Sequence, residues 1–316
     1  MNNKFKILTW CAFGTLLFLP GHTPRVLAQE IKSKDITAPK LRKPQIKLTT
    51  SSLTVHKGSY RPIVNLWKKQ MNAAGTKGHV WIGAINGNGV PDGLHYGGKR
   101  HTIIYVPSQY DRHKPTQVLI WLHGHNGFNK FQVRVLRHIK SRYKRGDNVL
   151  VIAVEQPWSH WTKTKTSRNG TGPFRKSGEF EVWMSNTLDI LRSFNVPIED
   201  ISSRNITLYG HSAGGSGIKS MALSGALEIL NPGKIVFSDS TYGRWFDVVY
   251  DKFLVKNPDT QVFVLTKKYG APWRSMIRFY KERKNVSQNI HHIALSRGWS
   301  HKRIGDNCLL YPDNPF

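Results

Sequence analysis

A serine between two glycines is the pattern in this sequence with the most specific chemistry. Gly210-His211-Ser212-Ala213-Gly214 has the form G-x-S-x-G, and it lies between the apolar run Ile206–Tyr209 and a segment with helical spacing. In a strand-turn-helix of this form, glycines let the backbone pass close by while the sharp turn exposes the serine hydroxyl. Ser212 is therefore a candidate nucleophile for acyl transfer, and the alternative is a chance turn of glycine and serine.

Short apolar runs along the chain predict the strands that would position this serine. Several are continuous rather than alternating, which is typical of strands covered on both faces. Segments with helical spacing lie between them, so strands and helices alternate and predict a mostly parallel sheet. The predicted strands are His79–Ala84, His101–Val106, Gln117–Leu122, Val149–Val154, Ile206–Tyr209, Lys234–Phe237, Gln261–Leu265 and Ile290–Leu295. The predicted helices include the faces of Phe131, Val135 and Ile139 and of Phe180, Trp183, Met184, Leu188 and Leu191, and the segment Ile218–Leu230.

A second run of residues carries a family resemblance together with the serine turn. A strand ending in Val106-Pro107 is followed by Gln109-Tyr110-Asp111 and then by Val118–Leu122, which leads into His123-Gly124. With Gly210–Gly214, this run resembles the α/β-hydrolases, and more narrowly their secreted esterases and depolymerases, over about residues 100–316. The resemblance implies an α/β-hydrolase fold, with a mostly parallel eight-stranded sheet flanked by helices. It also implies a serine hydrolase, with carboxylic esters as the expected substrate class.

The family order, nucleophile then acid then histidine, suggests the catalytic acid. The usual acid position follows the seventh strand, but residues 266–278 contain no Asp or Glu. Some lipases of this fold carry the acid after the sixth strand, where this chain has Ser238-Asp239-Ser240. Asp239 is therefore the expected acid and Asp247 the reserve. The alternative for Asp239 is a helix or turn cap.

The resemblance also suggests the base and the oxyanion hole. His301 follows the last predicted strand, where the family has its general base, whereas His291 and His292 lie within that strand. The resemblance assigns the oxyanion donors to the backbone N–H groups of His125, with Asn126 as runner-up, and of Ala213. A metal role for His123 and His125 is disfavoured because the loop offers no carboxylate at ligand spacing, and no cofactor is expected.

Large aromatic residues follow most of the predicted strands on the expected catalytic edge. Together they could stack on sugar or aryl rings, or they could simply fill space between loops. These candidate substrate-binding residues are Trp158, Trp161, Tyr242, Trp245, Trp273 and Trp299. The same loops carry Lys163, Lys165, Arg168, Arg175, Lys176, Arg244, Lys267, Lys268 and Arg274, a set of cations that would attract an anionic polymer.

The first segment has the layout of a secretory signal peptide. Basic residues precede an apolar run that is too short to span a bilayer, and small residues follow near Ala28. We expect a signal peptide at 1–28, a basic flexible leader at 29–61 and one α/β-hydrolase domain at 62–316. Loss of Lys4, Lys6 and Arg25 would lower the net charge from +28 to +25. The mature chain would keep one cysteine, Cys308, so it could form no internal disulfide.

These observations predict an exported serine hydrolase, secreted or periplasmic, that acts on an ester or amide in an envelope or extracellular polymer. Its expected partner is an anionic polymer or surface; nucleic acid is disfavoured, and no transmembrane span is expected after cleavage. The alternatives are a peptidoglycan or glycan amidase, peptidase or deacetylase on the same triad, and a catalytically silent module that binds anionic surfaces. A lipase is disfavoured because Thr162–Ser177, the segment long enough for a lid, is polar and basic.

Overall fold

One eight-stranded sheet organises the part of the chain that the computed structural model describes, residues 78–85, 101–125, 131–156 and 174–307. The spatial order is β1-β2-β4-β3-β5-β6-β7-β8. The pairs β1–β2 and β2–β4 are antiparallel and all others are parallel. The strands are β1 (Gly78–Ala84), β2 (His101–Pro107), β3 (Gln117–Leu122), β4 (Val149–Val154), β5 (Ile206–His211), β6 (Lys234–Ser238), β7 (Gln261–Lys267) and β8 (Ile290–Leu295).

Helices cover both faces of this sheet. They are α1 (Phe131–Lys144), α2 (Glu179–Ser193), α3 (Gly214–Ser224), α4 (Ala226–Leu230), α5 (Trp245–Val249), α6 (Ala271–Glu282) and α7 (His301–Asn307). A single π-helical turn, Tyr250–Leu254, continues α5, and short 3₁₀ turns occupy Ile198–Asp200 and Ser203–Asn205. The predicted mostly parallel α/β sheet flanked by helices is thus confirmed.

The alternation of side chains along each strand divides the core between the two faces. In β4, Leu150, Ile152 and Val154 join the cluster that packs under α2 to α6, whereas Val149, Val151 and Ala153 join the cluster under α1 and α7. Every residue of β4 is buried, as a continuous apolar run predicts for a strand covered on both sides. The edge strand β8 is only partly buried.

The segment predicted as one helix from Ile218 to Leu230 is two helices. Gly225 separates α3 from α4 with φ +83°, a left-handed conformation that glycine adopts without the cost of a Cβ clash. Among the described residues, no helix is both long enough and apolar enough to cross a membrane. The signal peptide at 1–28 and the leader at 29–61 lie outside the described residues, and they stay predictions.

Candidate active site

The serine turn occupies the carboxyl end of the central strand β5. Ser212 is buried and adopts φ +54°, which is rare for a residue with a Cβ. A Cβ on Gly210 would lie 2.7 Å from Cδ1 of Ile218 in α3, and one on Gly214 would collide with the carbonyl group of Leu122 at the end of β3. The flanking glycines are therefore required because α3 passes this close to both strands.

Asp239 holds the equivalent position at the end of the neighbouring strand, β6. It also has positive φ, +47°, and it is 3% exposed. The Ser212 N–H donates to the Ser238 carbonyl at 3.1 Å, and the Asp239 N–H donates to the Leu265 carbonyl at 2.7 Å. Parallel pairing continued for one residue thus places the serine and the aspartate side by side at the edge where the sheet ends.

His301, the first residue of α7, contacts this aspartate directly. Its Nδ1 lies 2.6 Å from Asp239 Oδ2, and Asp239 Oδ1 accepts a hydrogen bond from the Lys267 N–H at 3.2 Å. Because a carboxylate can only accept, Nδ1 carries the proton, and the lone pair of neutral His301 is on Nε2. An imidazole held in this tautomer by a buried carboxylate is what a general base requires.

His211, the residue before the serine, holds the His301 segment in place. Its ring stacks on the His301 ring with centroids 4.7 Å apart, and its Nε2 donates to the His301 carbonyl at 3.3 Å. The same ring lies against Gly305, where a Cβ would overlap it. Sequence reasoning treated His211 as the variable position of the G-x-S-x-G pattern, and no local signal marked its role.

Asp247, the reserve acid, is held by arginines instead. Arg278 contacts its carboxylate at 2.7 Å, Arg283 at 3.3 Å and Arg244 at 3.5 Å. Arg244 also donates two hydrogen bonds to Glu282. Arg244 was expected among the cations of the cleft, but its charge is already compensated by these carboxylates.

The loop after β3 passes directly against the serine. A Cβ on Gly124 would lie 2.7 Å from Cβ of Ser212. His123 is fully buried: its Nε2 accepts from the Gln156 N–H at 2.7 Å, so Nδ1 carries the proton and donates to the Gly124 carbonyl at 2.5 Å. Since C=O and N–H point in opposite directions in a trans peptide, the His125 N–H points away from His123.

Both expected oxyanion donors thus belong to segments beside Ser212. Ala213 is buried at the N-terminus of α3, where the first backbone N–H groups lack partners within the helix. His125 is exposed, and Asn126, the runner-up, lies outside the described residues. Within the described ranges, His, Cys, Asp and Glu side chains form no group of three that could hold a metal ion.

The aromatic residues predicted to bind substrate pack against different neighbours. The Tyr242 hydroxyl lies within hydrogen-bonding reach of the Ser212 side chain, and its ring packs edge-on against Trp245 with centroids 5.5 Å apart. Burial, and to a lesser degree Asp239, raises the pKa of Tyr242, so the phenol is neutral at physiological pH. Trp273 packs against Tyr269 and Trp299 lies under Arg303, whereas Trp158 and Trp161 lie outside the described residues.

Comparison with known proteins finds likeness at the level of the backbone. No protein-family model matches the chain, and no curated protein matches it in sequence. A solved thermostable esterase is similar over 73% of this chain with 16% identity and a TM-score of 0.45, and the match spans 60% of that protein's length. The feruloyl esterase module from Clostridium thermocellum matches over 73% of this chain and 86% of its own, with 12% identity and a TM-score of 0.47.

A peptidase has a similar degree of likeness. Oligopeptidase B from Trypanosoma brucei matches over 74% of this chain and 36% of its own length, with 12% identity and a TM-score of 0.39. At these identities and TM-scores, the likenesses assign no substrate to the chain.

Proposed function

We propose that the chain is a serine hydrolase in which Ser212 is the nucleophile, His301 the general base and Asp239 the residue that orients the base. The observation that carries this proposal is the 2.6 Å contact between His301 Nδ1 and Asp239 Oδ2, with the strained Ser212 turn on the adjoining strand. Residues 62 positions apart in sequence form this contact. Positive φ at both Ser212 and Asp239 costs about 1–3 kcal/mol per residue, a cost that persists at sites built for chemistry.

The reaction follows from the positions of the protons. His301 Nε2 takes the proton of Ser212 Oγ while that oxygen bonds to the carbonyl carbon of an ester. The carbonyl oxygen becomes an oxyanion, which the N–H groups of Ala213 and His125 stabilise by about 2.7–4 kcal/mol per donor. His301 then gives its proton to the leaving alcohol as the C–O bond breaks, which leaves an acyl-enzyme. Water, deprotonated by His301, attacks the acyl carbon, and His301 returns that proton to Ser212 Oγ as the bond to the acyl group breaks and the acid leaves.

Tyr242 has a positioning role in this scheme. The side chains of Tyr242 and Ser212 interact, and this interaction lowers the pKa of Tyr242 against the larger effects of burial and Asp239. The contact restricts the serine side chain before substrate arrives. The sequence predicts that Tyr242 contacts the substrate. In this scheme Tyr242 also orients the nucleophile.

The finer assignment is an ester of an extracellular or envelope polymer, hydrolysed after export of the protein. The predicted signal peptide at 1–28, the net charge of +28, which falls to +25 on its removal, and the Tyr242 ring beside Ser212 with Trp245 packed on it support this assignment. Acyl transfer to Ser212 would proceed from an amide by the same steps, so a peptidase or amidase remains the second candidate.

Active-site labelling with a fluorophosphonate tests the proposal. The full chain and Ser216→Ala should be labelled, because Ser216 lies in α3 on the same segment but outside the reaction scheme. Ser212→Ala should not be labelled. Labelling that persists in Ser212→Ala, or no labelling of wild type with an intact thermal transition, would overturn the assignment. Paired hydrolysis of p-nitrophenyl acetate and an acyl p-nitroanilide then separates esterase from amidase.

A further inference from the structure

A group of cations and aromatic rings lies at the carboxyl ends of β7 and β8. It consists of Lys268, Tyr269, Trp273, Arg274 and Arg297, and is called the Tyr269 cluster below. The Arg297 guanidinium lies 4.6 Å from the centre of the Tyr269 ring, and Lys268 Nζ lies 5.4 Å from it. Arg274 donates to the Tyr269 carbonyl at 2.7 Å, and Trp273 packs edge-on against the same ring with centroids 5.1 Å apart.

The backbone of Tyr269 is strained although the side chain gains little burial. Its φ is +66° and the residue is 47% exposed. This φ is unfavourable for a non-glycine residue, and burial of a half-exposed ring contributes little hydrophobic stabilisation. This backbone conformation places the ring against two cations at once. Strained backbone is common at binding sites, so we associate the conformation of Tyr269 with the binding of a ligand.

In the part of the chain that the structure describes, no acid compensates the charges of this cluster. Residues 266–278 and 296–303 contain no Asp or Glu. Among the described residues, Lys268, Arg274 and Arg297 form no ion pair, whereas Arg278 and Arg283 nearby in α6 and after it are paired with Asp247. Lys268 and Arg297 share the Tyr269 ring, and Arg274 contacts the carbonyl of the same residue. These three like charges repel each other, so the arrangement is favourable chiefly when an anion joins it.

Hydrogen bonds connect the cluster to the proposed catalytic residues. The Lys267 N–H donates to Asp239, and the next N–H, of Lys268, donates to the Leu295 carbonyl at 2.9 Å. Arg297 lies four residues before His301 on the loop from β8 to α7. An anion bound here would therefore lie on the same sheet edge as the ester that Ser212 attacks.

We infer that the Tyr269 cluster is an anion-binding subsite that takes a carboxylate of an acidic polysaccharide while an ester on the same polymer occupies the Ser212 site. This inference rests on the proposed ester hydrolase, because only a polymer with both groups would use the two sites together. Arginine guanidinium groups bind carboxylates in bidentate geometry, and exposed rings beside them suit sugar faces. Single-stranded DNA also pairs cations with rings, but it carries no carboxylic ester for Ser212.

The test measures binding in the Ser212→Ala background, where no turnover occurs. The probe is polygalacturonate, and its fully methyl-esterified form is the neutral control with the same sugar backbone. The charge variant is Lys268→Gln with Arg297→Gln. Its matched control is Lys256→Gln with Lys284→Gln, which removes the same charge at exposed positions before β7 and β8, at the opposite edge of the sheet.

We expect the charge variant to weaken polygalacturonate binding by about tenfold, as two exposed charge contacts would, and the control to weaken it less than about twofold. Tyr269→Ala should also weaken binding several-fold, although it removes no charge, because it releases both cations from the ring. Thermal unfolding of each variant checks that the fold is retained.

Several results would overturn the inference. Equal losses in the two charge pairs would mean that net charge alone attracts the polymer, and undiminished binding by Tyr269→Ala would exclude the ring as an organiser. Equal affinity for the methyl-esterified polymer, tighter binding of oligothymidylate than of polygalacturonate, or no binding at low salt would have the same consequence. Fluorophosphonate labelling of wild type reports separately on the catalytic proposal, so each can fail alone.

Discussion

Substitution of Gly305 by alanine tests how His301, the proposed general base, is held. Gly305 lies in α7, one turn after His301, and its Cα faces the ring of His211. A Cβ there would lie 2.5 Å from Cε1 and 2.6 Å from Cδ2 of His211, and closer still to Nε2. Ordinary contacts between carbon atoms are about 3.5–4.0 Å, so ring and helix would have to separate by about 1 Å.

The size of the effect follows from two opposing terms. Alanine in place of glycine within a helix stabilises by up to about 1 kcal/mol, whereas overpacking of a buried contact costs about 1–3 kcal/mol. We expect Gly305→Ala to be destabilising by up to about 2 kcal/mol. A 1 Å misplacement of a reacting group can cost about 100-fold in rate, so ester hydrolysis should fall by about tenfold to 100-fold.

Gly298→Ala is the matched control on the other side of His301. The nearest atom to a Cβ at position 298 is Ser296 Oγ at 3.9 Å, an ordinary contact, so stability should change by less than about 0.5 kcal/mol. Urea unfolding gives the stability of both variants, and the rate of fluorophosphonate labelling gives the reactivity of Ser212. Wild-type labelling and stability in Gly305→Ala would refute the argument that His211 and α7 position His301.

Three further expectations concern the acid, the phenol and the buried histidines. Asp239→Asn should lower kcat for ester hydrolysis by about 10²–10⁴-fold, since an amide no longer enforces the His301 tautomer. Asp247→Asn should chiefly lower the free energy of unfolding, because it breaks a buried ion pair. Equal losses of kcat in the two variants would contradict the assignment of Asp239 as the acid. Tyr242→Phe should slow turnover by about twofold to tenfold, the value of one neutral hydrogen bond. Its pH profile below pH 10 should match that of wild type, and a titration present in wild type but absent from Tyr242→Phe would argue against a neutral phenol. Burial, followed by Arg142 and Arg145, lowers the pKa of His138 to about 3, and burial lowers that of His292 to about 4. Below about pH 6.5 the histidines of the unfolded chain take up protons, whereas these buried rings do not. The free energy of unfolding should therefore decrease as the pH is lowered, by up to about 1.4 kcal/mol per pH unit per histidine. Urea unfolding of His138→Gln at several pH values should show a shallower dependence on pH than wild type.

The elements could be predicted from the sequence because the signals for them are local. A continuous apolar run such as Val149–Val154 indicates a strand buried on both faces wherever that strand lies in the sheet. The G-x-S-x-G turn likewise indicates its own geometry, because the close approach of α3 to β5 tolerates only glycine at its flanks. The break at Gly225 was missed, since glycine within a helical pattern is often tolerated.

The sequence narrowed the candidates for the catalytic acid to Asp239 and Asp247, but the choice between them depended on the tertiary structure. Asp239 and Asp247 lie eight positions apart and both follow β6. Their environments differ because the register of β6 against β7 carries Asp239 to His301, while α5 carries Asp247 to the arginines of α6 and beyond.

Sequence by itself thus determined which residues can form strands, which turn can expose a serine, and how strongly positive the chain is. Only the tertiary structure decided that Asp239 contacts His301 and that the His211 ring stacks on it. It also decided that Arg244 forms ion pairs, whereas Lys268 and Arg297 form none with the residues that the structure describes. The physical reason is distance along the chain. Backbone sterics and apolar periodicity act over a few residues, whereas these contacts join segments whose proximity exists only after the sheet has assembled.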